Sequence, residues 1–202
     1  MNPSLVGSEM CIRDSNSPDA LNQVFDAARA KDILVLTVNG DITGNEEHRD
    51  ATILPTDFTK VGADQVEMVG SLIGYEGEIA ILSATTEAPD QNFWIEGMNK
   101  TLENDSKYSK MTLVATVYGD DQPEKSTTEM ESLLANFPKL RGVIAPTTVG
   151  IAAGAQVVQS RGIAGTVKVT GLGLPSEMRD FVKDGTVEGF QLWSPYNEGW
   201  LA

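Results

Sequence analysis

Carboxylate and amide side chains follow two of the predicted strands of this sequence. Asp90, Gln91 and Asn92 come after a buried strand and at the start of a helix, where they can share hydrogen bonds with vicinal hydroxyl groups. Helix capping explains Asp90 alone, but it does not require both amides. Asp41 follows another strand in an Asn-Gly-Asp turn, where turn formation is the simpler interpretation of a lone aspartate. Together these residues favour a site for a polyhydroxylated ligand.

Two tryptophans are candidates for an aromatic surface that stacks on a sugar ring. Trp94 has Met98 and Leu102 at helical spacing, so packing in the core is the favoured interpretation of Trp94. Trp193 ends a predicted strand, a position compatible with stacking on the C–H face of a ligand. A buried tryptophan is nevertheless the commoner case.

Other chemistry has little support in the sequence. His48 is the single histidine and Cys11 the single cysteine, so we predict no catalytic triad, no histidine-based metal site and no internal disulfide. Asp120 and Asp121 lack a third acidic ligand at suitable spacing and are interpreted as charges at a helix start. The stretch 171–176 nearly matches a dinucleotide fingerprint but lacks its third glycine. We therefore expect no cofactor, no metal and no catalytic residue.

The composition of the chain limits the classes of partner that it can bind. The chain has 202 residues, 41% of them hydrophobic and 22% charged, as in ordinary globular proteins. Its 15 Lys and Arg residues against 29 Asp and Glu residues give a net charge of -14, which disfavours binding to nucleic acid. No apolar run approaches the roughly 18 residues that a membrane span needs, and the start of the chain lacks a signal-peptide pattern.

The elements that must position these residues alternate between helix and strand. Helical periodicity alternates with short apolar runs rich in β-branched residues, which predicts parallel strands joined by right-handed helical crossovers and a doubly wound α/β fold. In such folds ligands bind at the carboxyl ends of the strands. The predicted strands are 33–38, 78–82, 112–117, 142–145, 167–172 and 190–193, and the predicted helices are 17–28, 57–73, 90–102, 124–137, 149–159 and 176–183.

The first fifteen residues differ from the rest. Residues 1–15 (MNPSLVGSEMCIRDS) show no periodicity and join abruptly to a helix signal at Ser17 and Pro18. The segment VGSEMCIRDS is similar to a translated sequencing adapter, so we interpret residues 1–15 as a non-native leader that packs on nothing. A natural disordered leader is the alternative.

Several longer stretches resemble a known family. They are GEIAILSATTEAPDQNFWIEGM, LVATVYGDD, VIAPTTVGIAAGAQVV, KVTGLGLPSEM and VKDGTVEGFQLWSP. They are similar to type I periplasmic solute-binding proteins of ABC importers, in the branch that binds rhamnose and a furanose autoinducer. The resemblance covers roughly residues 17–202. It implies two doubly wound parallel-sheet lobes that close on a sugar held in the cleft between them.

The resemblance also implies which residues bind the ligand. The family's pocket falls on Asp41, Asp90, Gln91, Pro146 and Thr148, and the weaker assignments are Asn92 and Trp193. The chain has Thr147-Thr148 where autoinducer binders have Asp-Ala, and Val38-Asn39 where they have Trp-Asp. These departures favour a rhamnose-like sugar.

Family members are longer at both ends, so the resemblance implies a fragment with an incomplete first lobe. The missing parts are an N-terminal βαβ portion and a tail beyond Trp200. We expect the first lobe to comprise residues 16–54 and 171–191, and the second lobe residues 55–170 and 192–202.

The implied function is binding of a monosaccharide for delivery to ABC permease subunits, by a monomer in the periplasm and without catalysis; the chain itself has no signal peptide. One alternative is the sugar-sensing effector domain of a transcriptional repressor, which has the same fold and requires an upstream helix-turn-helix domain. The other is an α/β enzyme that acts on a sugar, for which the sequence supplies no base, phosphate loop or metal set.

Overall fold

The structure is a computed structural model that describes residues 18–42 and 44–201. The leader predicted at residues 1–15 and the predicted helix cap Ser17 lie outside the described residues. The chain divides into two compact units. Unit 1 consists of the described residues of Met1–Thr56, Glu87–Asp90 and Ser194–Ala202, and unit 2 consists of Asp57–Thr86 and Gln91–Trp193.

Unit 1 is built around a short parallel strand pair. A small core of Phe25, Val35 and Ile42 lies beside it. The amide of Val35 donates to the Asp50 carboxylate over 2.8 Å, and the amide of Asp50 donates back to the Val35 carbonyl over 2.9 Å. Its elements are α1 (Asn22–Arg29), β1 (Leu36–Val38), β2 (Ala51–Ile53), two 3-10 turns at Pro18–Leu21 and Glu46–His48, and α7 (Pro195–Leu201), which carries the exposed Trp200.

Unit 2 contains a four-stranded parallel sheet in the order β4-β3-β5-β6. Helices join its strands, as the alternating sequence pattern predicts, so the doubly wound α/β class is confirmed. The elements are α2 (Phe58–Ile73), β3 (Gly77–Ser83), α3 (Pro89–Asn104, whose first two residues group with unit 1), a 3-10 turn at Ser106–Tyr108, β4 (Met111–Tyr118), α4 (Pro123–Asn136), β5 (Leu140–Ala145), α5 (Thr148–Arg161), β6 (Lys168–Gly171) and α6 (Pro175–Lys183).

Side chains of β3 alternate between two cores, one on each face of the sheet. Ile79 and Ile81 pack with the apolar stripes of α2 and α3. Ala80 and Leu82 pack with α4, α5 and α6 on the opposite face. All four residues have 0% exposure. This two-faced burial explains why the strand appears in the sequence as a continuous apolar run.

The ends of α2 follow the expected chemistry. The carboxylate of Asp57 accepts a hydrogen bond from the amide of Thr59 over 3.1 Å and caps the helix. Gly74 ends it in the left-handed conformation, with a φ of 76°. The sequence placed this helix over residues 57–73, and the structure agrees to within one residue.

The structure corrects two predicted strands and adds two elements that were not predicted. The strand predicted at 33–38 is confined to Leu36–Val38, because the amide of Ile33 still bonds to the Ala28 carbonyl in the turn that ends α1. The strand predicted at 190–193 is reduced to one bridge between Leu172 and Gln191. β2 and α7 were not predicted, since three residues in a polar region and seven near the chain end give little periodicity.

Two later segments of the chain belong to different compact units. Residues 171–191 lie in unit 2, where Met178 of α6 is fully buried in the core beside α5 and β6. The described residues 194–201 group with unit 1. The predicted lobes, residues 16–54 with 171–191 and residues 55–170 with 192–202, stay a prediction.

Through its carboxylate, Glu67 of α2 connects this helix to the turn at Tyr75 and to the 3-10 turn Ser106–Tyr108. It accepts hydrogen bonds from Lys107 over 2.6 Å, from the Tyr108 hydroxyl over 2.6 Å and from the Tyr75 hydroxyl over 2.8 Å. The ammonium group of Lys107 also lies 4.5 Å from the centre of the Tyr75 ring. The hydrogen bond from Lys107, followed by those from the two tyrosines, lowers the pKa of Glu67 from 4.5 to about 2. Burial and the Glu67 hydrogen bond raise the pKa of Tyr108 to about 12.

Replacing Glu67 with Gln should weaken the resistance of the fold to acid. Because the folded-state pKa of Glu67 is below its ordinary 4.5, this carboxylate stabilises the fold above that pH and loses its contribution as the pH falls towards 2. Glu67 is partly exposed, so we expect a loss of about 1 kcal/mol in the free energy of unfolding at neutral pH. The difference between the variant and the original should shrink as the pH falls.

Urea unfolding across this pH range measures the effect. The control is Glu76→Gln, because Glu76 makes only an exposed ion pair of 3.5 Å with Lys110. An equal loss of stability in both variants, or a loss in Glu67→Gln that does not depend on pH, would contradict the role given to this carboxylate.

Candidate functional site

The carboxyl ends of β3, β4, β5 and β6 lie at one edge of the sheet of unit 2, because all four strands are parallel. Backbone hydrogen bonds continue past the strands and hold the turns together. The amide of Gly119 donates to the Ser83 carbonyl over 2.9 Å, and the amide of Leu172 donates to the Ala145 carbonyl over 2.9 Å. We refer to residues 84–86, 91–92, 119–122, 146–148 and 172–174 of unit 2 as the carboxyl edge.

Gly171 shows how closely the strands approach at this edge. Its φ is 138°, and a Cβ atom at this position would lie 2.0 Å from the Ala145 carbonyl oxygen. Only glycine fits both the conformation and the space. The carboxyl ends of β5 and β6 are therefore held together at a distance that any side chain would prevent.

Four predicted binding residues of unit 2 follow β3 and β5. Pro146 is buried directly after β5, and Thr148, half-buried, is the first residue of α5. Gln91 lies half-buried in the first turn of α3. The Asn92 side chain is exposed, and its amide donates to the Thr86 carbonyl over 2.8 Å. The structure thus brings these four residues to the carboxyl edge, although the Asn92 N–H group already closes a local turn.

Trp193, the fifth predicted residue of unit 2, packs beside Trp94. Its ring centre lies 6.1 Å from that of Trp94, in an edge-to-face arrangement, and Trp193 stays half-buried. Trp94 is only 3% exposed and also meets the Phe58 ring edge-on at 5.2 Å. Trp94 is therefore a core residue, as its spacing predicts. Within the described chain its indole N–H has no hydrogen-bond partner.

In unit 1, Asp41 forms a bidentate ion pair with Arg49. The guanidinium donates from Nε to Oδ1 over 2.7 Å and from Nη2 to Oδ2 over 2.5 Å. Oδ1 also accepts from the Thr37 hydroxyl over 3.1 Å and from the Ile42 amide over 2.9 Å. Burial by itself would raise the pKa of Asp41, but these hydrogen bonds and the Arg49 charge outweigh it and lower the pKa below 3.8. Asp41 is thus an ionised acceptor at neutral pH.

Asp90 lies against the turn that contains Asp41. A Cβ atom at Gly40 would come within 2.7 Å of Oδ2 of Asp90, and both residues belong to unit 1. The glycine therefore leaves the space that the Asp90 carboxylate occupies. The sequence predicted both aspartates as site residues without indicating that Asp90 needs a glycine at position 40.

Sequence reasoning missed one polar contact at the carboxyl edge. The Thr147 hydroxyl donates a short hydrogen bond to Oδ1 of Asp121, across 26 residues of sequence. Asp121 was interpreted as a helix-start charge, and Thr147 was not selected. Both residues follow strands at the edge where ligands bind in this fold class, which is the signal that could have found them.

Two further observations concern the rest of the described chain. A groove along α6 is lined by Pro175, Arg179, Val182, Lys183 and Phe190 and contains none of the predicted site residues. Among the described residues, no helix has both the length and the apolar character of a membrane span, and no three acidic, histidine or cysteine side chains converge on a point where a metal would bind.

Comparison with known proteins identifies the family. The periplasmic binding protein domain matches residues 12–202. The chain belongs to the periplasmic binding protein family. A sugar ABC transporter protein from Actinomyces odontolyticus is 42% identical, with a TM-score of 0.78; the match covers 92% of this chain and 59% of that one.

Two further relatives hold sugars. An ABC transporter solute-binding protein from Clostridium phytofermentas with bound L-rhamnose is 37% identical, with a TM-score of 0.84, over 93% of this chain and 59% of that one. A solute-binding protein from Burkholderia graminis in complex with D-arabinose is 28% identical, with a TM-score of 0.82, over 92% and 63%. The chain therefore spans about three fifths of the length of these periplasmic binding proteins.

Replacing Arg49 with Gln should raise the pKa of Asp41. The substitution removes two hydrogen bonds and the neighbouring positive charge, while the burial that opposes ionisation remains. We expect unit 1 to lose about 1–3 kcal/mol of stability, since a partly buried carboxylate loses its charged partner. This loss should be largest above pH 4, where the paired carboxylate is ionised.

Carbon NMR of the Asp41 carboxyl group across pH measures the shift directly. Arg29→Gln is the matched control, because Arg29 pairs with Asp50 over 3.2 Å and makes no contact with Asp41. A pKa of Asp41 that stays unchanged in Arg49→Gln would show that Arg49 does not set its ionisation.

Proposed function

We propose that this protein is the substrate-binding component of an ABC sugar importer and that its ligand is a rhamnose-like monosaccharide. The observation that carries the proposal is the placement of carboxylate, amide and hydroxyl groups after the strands, in a chain of this family. The relative with bound L-rhamnose, 37% identical over 93% of this chain, supports the choice of sugar. The relative with D-arabinose supports a monosaccharide as the ligand class.

The two aspartates of unit 1 supply charged acceptors for sugar hydroxyls. Oδ2 of Asp41 accepts one bond, from Arg49, and a carboxylate oxygen has two lone-pair sites, so Oδ2 can accept a sugar hydroxyl as well. Arg49 fixes the orientation of this carboxylate before the ligand arrives, which lowers the entropy lost on binding. Asp90 supplies the second carboxylate, beside Gly40.

Unit 2 supplies neutral groups and an aromatic surface. Gln91 and the Thr148 hydroxyl can both donate and accept hydrogen bonds, which suits the mixed requirements of sugar hydroxyl groups. Pro146 fixes the entry into α5, and Asn92 adds an amide oxygen. The edge-on contact with Trp94 fixes the half-buried ring of Trp193, which we propose as the surface for the C–H face of the sugar.

The similar proteins are solute-binding proteins, so we propose binding and release of the sugar with no chemical change to it and no cofactor. The proposed location is the periplasm, and the proposed partners are the permease subunits of an importer. We propose a monomer, because one chain with its ligand is the unit that such a transporter receives. The net charge of -14 argues against a nucleic-acid partner.

Isothermal titration of a full-length form of the protein with L-rhamnose, D-arabinose and D-glucose tests the function. We expect one site per chain, with L-rhamnose bound most tightly, and unchanged sugar in the recovered solution. Binding of none of these sugars would overturn the proposal. Conversion of the sugar would favour an enzyme, and a sugar-dependent change in DNA binding would favour a repressor.

Replacing Asp90 with Ala in the full-length protein should weaken sugar binding by about 2 kcal/mol or more, because it removes a charged acceptor of hydroxyl hydrogen bonds. Gly40→Ala should also weaken binding, since the added methyl group occupies the space of the Asp90 carboxylate. Calorimetry measures both effects.

Controls for these substitutions are available in the same chain. Asp180→Ala removes a largely exposed aspartate of α6, and Gly199→Ala adds a methyl group with no atom within 4 Å. Both controls should keep the original affinity. Unchanged affinity in Asp90→Ala would remove Asp90 from the binding site.

The 202-residue chain by itself should bind sugar weakly or not at all. It spans only 59% of the relative that holds L-rhamnose, and an incomplete set of partners leaves ligand hydroxyls bonded to water instead of protein. The exposed apolar residues Leu34 and Ile33 of unit 1 should promote aggregation. Micromolar or tighter binding of L-rhamnose by a monomer of this chain would contradict the expectation.

A further inference from the structure

Two consecutive aspartates in the turn after β4 adopt the left-handed backbone conformation. Asp120 has a φ of 53° and Asp121 a φ of 51°. This conformation is unfavourable for residues other than glycine, although aspartate tolerates it better than most. Residues in such conformations concentrate at functional sites, where the surrounding contacts maintain them. The contacts of the two carboxylates therefore decide what maintains this turn.

The two carboxylates have different partners. Asp120 forms an exposed ion pair of 2.5 Å with Lys125 in the first turn of α4. Asp121 instead accepts the hydroxyl proton of Thr147, which is only 5% exposed. The second contact links the turn after β4 to the turn after β5. These two strands are not neighbours, since β3 lies between them.

Thr147 occupies the N-cap position of α5 but does not cap the helix with its side chain. A threonine at an N-cap usually accepts a hydrogen bond from an amide of the first helical turn. Here the hydroxyl is engaged by Asp121 instead. The first-turn amides of Val149 and Gly150 are thus left without the usual side-chain acceptor from Thr147.

The first turn of α5 is also packed tightly against the end of β3. A Cβ atom at Gly150 would lie 2.8 Å from the Thr147 methyl group and 3.1 Å from the Leu82 carbonyl oxygen. This contact leaves the turn little freedom to shift. The contact with Asp121 therefore fixes the Thr147 side chain at the start of a turn that is already tightly packed.

We propose that Asp121 is a positioning residue for sugar binding. By holding the Thr147 hydroxyl, its carboxylate fixes the turn after β5 and so fixes Thr148, the next residue, at the carboxyl edge. The inference rests on the proposed function and adds a residue that acts on the ligand only through Thr147.

Asp121→Gly in the full-length protein separates positioning from structural support. Glycine relieves the left-handed backbone and removes the carboxylate, so we expect equal or higher thermal stability together with an affinity for L-rhamnose that is about tenfold lower. A purely structural role would lower stability as well. Asp120→Gly is the matched control, because it relieves the same conformation one residue earlier and should keep the affinity within about twofold.

A pair of variants tests the route through Thr147. Thr147→Val keeps the shape of the side chain but removes its hydroxyl, and it should lower the affinity by about as much as Asp121→Gly. Because both substitutions break the same contact, the double variant should bind no more weakly than either single variant. Asp121→Asn keeps an acceptor oxygen for the Thr147 hydroxyl and should restore most of the affinity.

The results that would overturn the inference are distinct from failure of the proposed function. If the unchanged protein binds none of the tested sugars, the proposed function fails and the inference fails with it. A second outcome is that the unchanged protein binds L-rhamnose while the double variant loses affinity by the product of the two single losses. Asp121 then acts independently of Thr147, and the inference alone fails. Equal losses of affinity in Asp120→Gly and Asp121→Gly would also overturn it.

Discussion

The burial of β3 on both faces and along both edges is the constraint on which unit 2 depends. The strand pairs with β4 on one side and β5 on the other, and its side chains alternate between two cores. Because all strands of the sheet are parallel, their carboxyl ends must lie at one edge, and the connecting helices must cover both faces. The polar residues of the carboxyl edge are held by this arrangement, although few of them contribute to either core.

Unit 1 is held together in a different way. Its described core contains only Phe25, Val35 and Ile42, too few residues to offset much conformational entropy. Charged contacts replace part of the missing apolar burial: Asp41 pairs with Arg49, and Asp50 accepts from both the Val35 amide and Arg29. A unit stabilised mainly by such pairs depends strongly on pH and salt, whereas the sheet of unit 2 is stabilised mainly by apolar burial.

The sequence predicted the strands of unit 2 better than those of unit 1. The strongly apolar runs at 78–82, 112–117 and 142–145 predicted three strands of unit 2. These runs are visible in the sequence because strands that are buried on both faces contain mostly apolar residues. The structure extends each strand by one or two residues at an end. The three residues of β2 were not predicted because they are a strand only through their pairing with β1. Such pairing produces no recognisable pattern in a short stretch of sequence.

The candidate site was predictable only in part for the same reason. Residues that follow strands could be listed, but the contact between Asp121 and Thr147 joins turns 26 residues apart, and the space that Gly40 leaves for Asp90 depends on tertiary packing. The ion pair between Asp41 and Arg49 likewise depends on tertiary structure. Sequence patterns located the edge of the sheet, and the structure was needed to assign partners there.

The three tryptophans allow the two units to be distinguished by intrinsic fluorescence. Trp94 is 3% exposed and Trp193 is half-buried, both in unit 2, whereas Trp200 in α7 of unit 1 is 78% exposed. Indole fluorescence shifts to shorter wavelength when the ring leaves water. The blue part of the emission therefore comes from unit 2 and the red part mainly from unit 1, so one spectrum follows the unfolding of each unit without any added dye.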